Sequence, residues 1–255
     1  MLRRLGNKSK LAAQICKLFP AHTVYIEPFF GAGGMLFNKQ PIAKYNYLND
    51  LDQEVFNLYS VLKSNKAQLT KHIQSTPYDK TTFAHLKTTK PKNNIEQAAR
   101  FVILSNYGLF GQDTTLRFGT ENAKKTLLQS IDKVYNFITQ NHFQFNTNKD
   151  WKAFITNFHL TKTINPKNIL VYADPPYVAT KGNYVGFTAA QRTELLRWAS
   201  KSPYNVAISE FATPELTKEC AKLKLHITTI GERRTLGNRN TEILITNYKP
   251  QKNAH

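Results

Sequence analysis

The chain has 255 residues, enough for one large α/β domain with a smaller insertion and a core that needs no disulfide staples. Lys and Arg number 35 against 17 Asp and Glu, a formal charge of +18, so the surface attracts polyanions and nucleic acid is the first partner to consider. No stretch approaches the roughly 20 apolar residues of a spanning helix, and Met1 to Asn7 lacks the apolar core of a signal peptide, so a cytoplasmic protein without a membrane partner is expected.

The pattern predicts a helix from about Lys10 to Leu18, a strand Thr23-Val24-Tyr25-Ile26, a Gly-rich turn, a short helix, a strand Tyr45-Asn46-Tyr47-Leu48, and a helix from about Gln53 to Ser64. Strands alternating with helices imply a parallel, doubly wound sheet. From about Asn65 to Pro166 the strand signals fade, polar and basic residues become frequent, and Ile95, Ala98, Ala99 and Val102 fall at helical spacing. This segment reads as an inserted, largely helical, basic subdomain. Alternation resumes with a strand Ile169 to Tyr172, a helix Ala189 to Ala199 and a strand Asn205 to Ile208. A closing hairpin is expected from Leu225 to Ile230 and Glu242 to Tyr248, separated by a charged turn. Cys16 and Cys220 are isolated, and the histidines, including His22, show neither ligand nor triad spacing. Reduced structural thiols, solvated or helix-surface histidines and no metal site are expected.

Two segments carry chemistry. Glu27-Pro28-Phe29-Phe30-Gly31-Ala32-Gly33-Gly34 follows an apolar strand and precedes a helix, where glycines let backbone approach a nucleotide-like ligand; a plain strand-to-helix turn uses the same residues. Asp50 ends the next strand about where such folds place the acid that accepts hydrogen bonds from ribose hydroxyls. A helix cap competes for this role, more strongly for Asp52 than for Asp50.

The second segment, Asp174-Pro175-Pro176-Tyr177, comes directly after the strand Ile169 to Tyr172 and so at the carboxyl end of a sheet strand, where these folds bind ligands. The amino nitrogen of adenine is a poor nucleophile because its lone pair is delocalised into the ring. Acceptors on both amino hydrogens draw it toward tetrahedral geometry. The Asp174 carboxylate and the Pro175 carbonyl can supply them, the two prolines stiffen the turn, and Tyr177 would stack on the base. Such a transfer needs no metal, because a sulfonium methyl donor is already activated.

With these motifs in this order, the chain resembles the Dam-like N6-adenine DNA methyltransferases of the alpha arrangement, over most of residues 1 to 64 and 166 to 250. The resemblance implies a Rossmann-like S-adenosylmethionine-dependent α/β sheet, with residues 65–165 as an inserted, mainly helical target-recognition subdomain. It implies Asp174, Pro175, Pro176 and Tyr177 as catalytic residues, and Arg4, Lys8, Phe30, Gly31, Gly33, Asp50 and Asp174 as cofactor contacts. Gly6-Asn7-Lys8 is similar to the family's N-terminal Gly-x-Lys element, with Arg4 where the family often has an aromatic residue. Gly186-Phe187-Thr188 and Ala207-Ile208-Ser209-Glu210 resemble segments beside the base pocket and the catalytic loop.

For DNA, Arg233, Arg234 and Arg239 fall in a Gly-containing turn suited to gripping phosphates, with a solvated loop as the alternative. Arg117 suits a guanine edge or a phosphate, with a purely structural role as the alternative. The leading expectation is methyl transfer to adenine N6 in double-stranded DNA by base flipping. The enzyme would be a monomer of bacterial or phage origin, for which a companion restriction endonuclease is a further partner to consider. Transfer to cytosine N4 or to adenine in RNA, and a non-catalytic basic binding module, are the alternatives.

Overall fold

The computed structural model describes residues 8–109, 115–117, 122–156, 164–177, 187–235 and 238–250. Among these the elements, in chain order, are α1 (Ala12–Cys16), β1 (Val24–Glu27), β2 (Tyr45–Asn49), α2 (Gln53–Ser75), α3 (Lys80–Thr88), α4 (Asn94–Tyr107), α5 (Ala123–Gln140), β3 (Phe143–Thr147), α6 (Trp151–Thr156), β4 (Ile169–Ala173), α7 (Ala189–Lys201), β5 (Asn205–Phe211), α8 (Pro214–Lys222), β6 (His226–Thr235) and β7 (Asn238–Thr246). The architecture is a mixed α/β, Rossmann-like one, and the chain divides into two compact units.

The sheet unit comprises Leu11–Phe29, Lys39–Leu48 and Phe154–His255. Its strands lie in the order β2-β1-β4-β5-β7-β6. The first four are parallel, and β7 pairs antiparallel with both β5 and β6. Every residue of β1, β4 and β5 is buried, as expected of parallel strands covered on both faces, and each is built around an apolar run, Val24 to Ile26, Ile169 to Ala173 and Val206 to Ile208. From β1 the chain turns to β2 on one side and later returns to β4 on the other. The order therefore reverses between β1 and β4, the point at which open α/β sheets hold ligands. α7 starts with a capping box in which Thr188 and Gln191 satisfy each other's backbone donors.

The helical unit comprises Met1–Lys10, Phe30–Asn38 and Asn49–Ala153. α2 packs on α4 and α5. Val55, Leu58, Leu62, Leu69 and Ile73 of α2, Ala98, Ala99 and Val102 of α4, and Leu127 and Ile131 of α5 are buried, the α4 residues being ones whose helical spacing the sequence shows. The helix expected to stop at Ser64 continues to Ser75, but its backbone leaves helical geometry at Asn65, with φ −138° and ψ 35°. The expected insertion also contains a strand, β3, that its polar composition concealed.

Candidate cofactor and catalytic site

In the helical unit two loops are pinned together. Gly31 and Gly33 have φ of +54° and +71°, left-handed conformations that favour glycine. The Gly31 N–H donates to Asp50 Oδ2 at 2.5 Å, and the Phe30 N–H donates to the Asn49 carbonyl at 3.0 Å. The other Asp50 oxygen accepts the Asp52 N–H at 2.8 Å, while Asp52 caps α2 by accepting the Glu54 N–H at 2.9 Å. The two acids of this loop thus divide the roles that competed for them: Asp52 is the helix cap, and Asp50 faces the glycine loop.

The glycines differ in what surrounds them. A Cβ on Gly33 would lie 2.2 Å from the Phe37 ring and 2.7 Å from Phe30, whereas a Cβ on Gly31 would meet nothing within 4 Å. Gly31 therefore borders open space beside a carboxylate, a cradle that fits the ribose and backbone contacts of a nucleoside-like cofactor. Phe30, expected to touch the cofactor, has its ring in the core, with ring centroids 5.0 Å from Tyr59 and 5.2 Å from Phe145. Its side chain shapes the loop from beneath. Lys8 is buried in the same unit.

In the sheet unit Asp174 follows fully buried β4 and is half-buried, with Pro175 buried behind it. Tyr177, expected to stack on the base, is held at its ring and at its hydroxyl. Only 8% of the residue is exposed, its ring meets Phe211 edge to face at 4.6 Å between centroids, and its hydroxyl donates to Glu242. The Tyr177 phenol is held well above its ordinary pKa, first by burial and then by the charges of Asp174 and Glu242, so it stays a donor. Tyr172 lies below, its hydroxyl 2.8 Å from that of Ser209. Nearby, burial pushes the Glu210 carboxyl up to about 7, against the pull of the Phe211 N–H and the Arg192 charge. Phe187 packs edge to face on Phe29, centroids 5.6 Å apart, beyond the end of β1.

Glu210 was legible as part of the segment resembling the catalytic-loop strand, but not as a buried acid. Glu242 was missed altogether. The available signal was an acid opening the apolar run Ile243-Leu244-Ile245.

Arg4 lies outside the described residues, as do Gly6, Asn7, Gly186, Leu236 and Gly237. The arginines expected in a turn belong to strands: Arg233 is paired with Asn240 and Arg234 with Arg239 in the β6–β7 ladder. The ladder's pairing carries β6 through Thr235 and starts β7 at Asn238. Arg239 is exposed and 3.7 Å from Glu232, a surface pair worth at most about 1 kcal/mol. The Arg117 backbone is held on both sides, its N–H by the Tyr107 carbonyl at 2.8 Å and its carbonyl by the Tyr78 hydroxyl at 2.5 Å. His22 is not solvated as expected. Its Nδ1 is 2.7 Å from the Pro20 carbonyl, and burial, with the Lys39 charge, lowers its pKa to about 4. Cys16 and Cys220 are free thiols pushed up to about 11, chiefly by burial.

Residues 5–197 match the model of the D12 class N6 adenine-specific DNA methyltransferases. The chain is 23% identical to type II methyltransferase M1.LlaDCHI of Lactococcus lactis subsp. cremoris, over 95% of this chain and 93% of that protein. It is also 23% identical to type II methyltransferase M.CviBI of Paramecium bursaria Chlorella virus NC1A, over 89% and 90%. Among solved structures it is similar to the N-terminal domain of human METTL16 in complex with SAH, with a TM-score of 0.39 and 9% identity over 94% of this chain and 67% of that one.

Proposed function

We propose, from the premise that the chain belongs to the D12 class N6 adenine-specific DNA methyltransferases, that Asp174 and the Pro175 carbonyl accept the two hydrogens of the adenine N6 amino group. The enzyme is an S-adenosylmethionine-dependent, site-specific adenine DNA methyltransferase. Bound S-adenosylmethionine supplies a methyl group activated by its sulfonium. What the protein must add is an aligned nitrogen with its lone pair localised. A carboxylate on one N–H and a carbonyl on the other favour the pyramidal nitrogen of the transition state over the planar amine of the ground state. As N6 takes the methyl carbon, the carbon–sulfur bond breaks with its electron pair left on sulfur, and Asp174 would hold the proton that N6 sheds until water removes it.

One observation carries the assignment: an acid and two prolines follow directly on a fully buried parallel strand at the sheet's switch point. Gly31, Gly33 and Asp50 hold the cofactor, joined by Lys8 and, by resemblance, Arg4. An adenine within a duplex has one of its two amino hydrogens engaged in base pairing and its nitrogen held in the stack, so the base leaves the stack to react. Residues 1–64 and 166–250 form the catalytic part and residues 65–165 the target-recognition part. Arg117, Arg233, Arg234 and Arg239 contact DNA. The enzyme acts as a monomer in the cytoplasm, and the type II names of its relatives support a companion restriction endonuclease.

The test is Asp174→Ala. We expect transfer to fall by at least about 100-fold, the scale of losing one preorganised transition-state interaction, with S-adenosylmethionine affinity within about tenfold of wild type. Near-normal turnover would remove Asp174 from the reaction.

A further inference from the structure

Glu242 lies beyond residues 5–197, in the part of the chain that the family model leaves uncovered. It is fully buried, on β7, opposite Phe211 of β5. Both members of this cross-strand pair engage Tyr177: Phe211 packs edge to face with its ring, and the Glu242 carboxylate accepts the hydrogen bond of its hydroxyl. A buried carboxylate carries a large desolvation cost, so its placement against a tyrosine of the proposed catalytic loop calls for a reason. Chain stiffness provides it. Only Pro175 and Pro176 separate Asp174 from Tyr177, and each proline fixes φ near −65°. The segment thus behaves as a short rod, and holding its Tyr177 end constrains the direction of Asp174 at the other.

We infer that Glu242 is a positioning residue for methyl transfer: by accepting the Tyr177 hydroxyl it fixes the far end of the prolyl segment and so aims the Asp174 carboxylate. The effect required is small. A displacement of about 1 Å at a reacting group costs on the order of 100-fold in rate. Positioning through Tyr177 differs from a merely structural buried acid in two ways. It needs an acceptor rather than a charge, and it is lost equally when the tyrosine hydroxyl is removed.

The inference rests on the role proposed for Asp174, and the experiment separates the two. Steady-state kinetics with duplex DNA would compare Glu242→Leu, Glu242→Gln, Tyr177→Phe and the double variant Tyr177→Phe/Glu242→Leu, with melting temperature and S-adenosylmethionine binding recorded for each. We expect kcat to fall about 10- to 100-fold in Glu242→Leu, with KM for S-adenosylmethionine changed less than about threefold. Glu242→Gln, which keeps an acceptor, restores kcat to within about threefold of wild type. Tyr177→Phe reproduces the Glu242→Leu loss, and the double variant is no worse than either single one. Independent, multiplying losses would overturn the inference, as would a Glu242→Leu protein of lowered melting temperature but normal kcat. Should Glu242→Leu fail to fold, Tyr177→Phe decides: a fall in kcat at unchanged KM supports the inference, and a normal kcat refutes it. If Asp174→Ala is inactive while these variants are fully active, this inference alone fails; if Asp174→Ala is active, the catalytic reading itself has failed.

Discussion

The two left-handed glycines of the proposed cofactor loop make opposite predictions for the same substitution. Gly33→Ala forces a Cβ into a left-handed backbone, at about 1–2 kcal/mol, and places it 2.2 and 2.6 Å from two atoms of the Phe37 ring and 2.7 Å from Phe30. Neither ring can move freely. Phe37 leans on Phe137 at 5.4 Å between centroids, and buried Phe30 is wedged among Phe37, Tyr59 and Phe145. Overpacking of this kind costs a further 1–3 kcal/mol or so, for a total of about 2–5 kcal/mol. In a protein of this size that lowers the melting temperature by about 4–20 °C. Gly31→Ala bears only the backbone cost, because its Cβ meets nothing within 4 Å. Its methyl group instead stands in the space proposed for the cofactor, so we expect S-adenosylmethionine affinity to weaken at least about tenfold while the ligand-free protein melts within about 8 °C of wild type. Differential scanning calorimetry without ligand and titration calorimetry with S-adenosylmethionine read the two effects separately. A Gly33→Ala protein that melts with wild type, or a Gly31→Ala protein destabilised more than Gly33→Ala, would refute the reasoning.

Burial of Glu210 gives a pH signature. Its carboxyl titrates near 7 in the folded protein against an ordinary 4.5, so the folded state binds the proton more tightly. The stability this confers is complete below about pH 4.5 and is lost as pH rises through about 7, a total of about 3 kcal/mol. Urea melts at pH 5, 6, 7 and 8 should show Glu210→Gln with a flatter profile than wild type; parallel profiles would contradict the burial argument. Replacing Arg233, Arg234 and Arg239 together by Ala should reduce the slope of log K for DNA against log salt by about 1 to 3, close to one for each phosphate that an arginine no longer neutralises. An unchanged slope would assign them to the hairpin alone. Size-exclusion chromatography with light scattering should give a single mass near 29.2 kDa, and a stable dimer would contradict the monomer reading.

The strands that build the sheet were legible because interior parallel strands must be apolar on both faces, and Ile169 to Tyr172 or Asn205 to Ile208 cannot be solvated helices. The two candidate site segments stood out for a related reason: each sits immediately after such a strand. Other features were concealed by their contexts. β3 offers only Phe143 and Phe145 in alternation within a polar stretch, too short a period-two signal to separate from loop. The helix end expected at Ser64 found the break at Asn65 but not the resumption beyond it, where Leu69 and Ile73 return to the same buried face four residues apart. The arginine turn was overestimated because Gly237, Asn238 and Asn240 are turn-forming residues, while strand pairing, a long-range effect, decided how far β6 and β7 extend. Glu210 and Glu242 were hidden for the same cause. An acid in a strand reads as an outward residue until its cross-strand partners are known, and here those partners bury it.

The most direct test is to incubate the purified protein with tritiated-methyl S-adenosylmethionine and unmethylated genomic DNA, with total RNA in parallel, and to resolve the nucleosides by mass spectrometry after digestion. We predict label in N6-methyladenine from DNA alone, abolished by Asp174→Ala. Label in N4-methylcytosine, label confined to RNA, or no label in any nucleoside would contradict it.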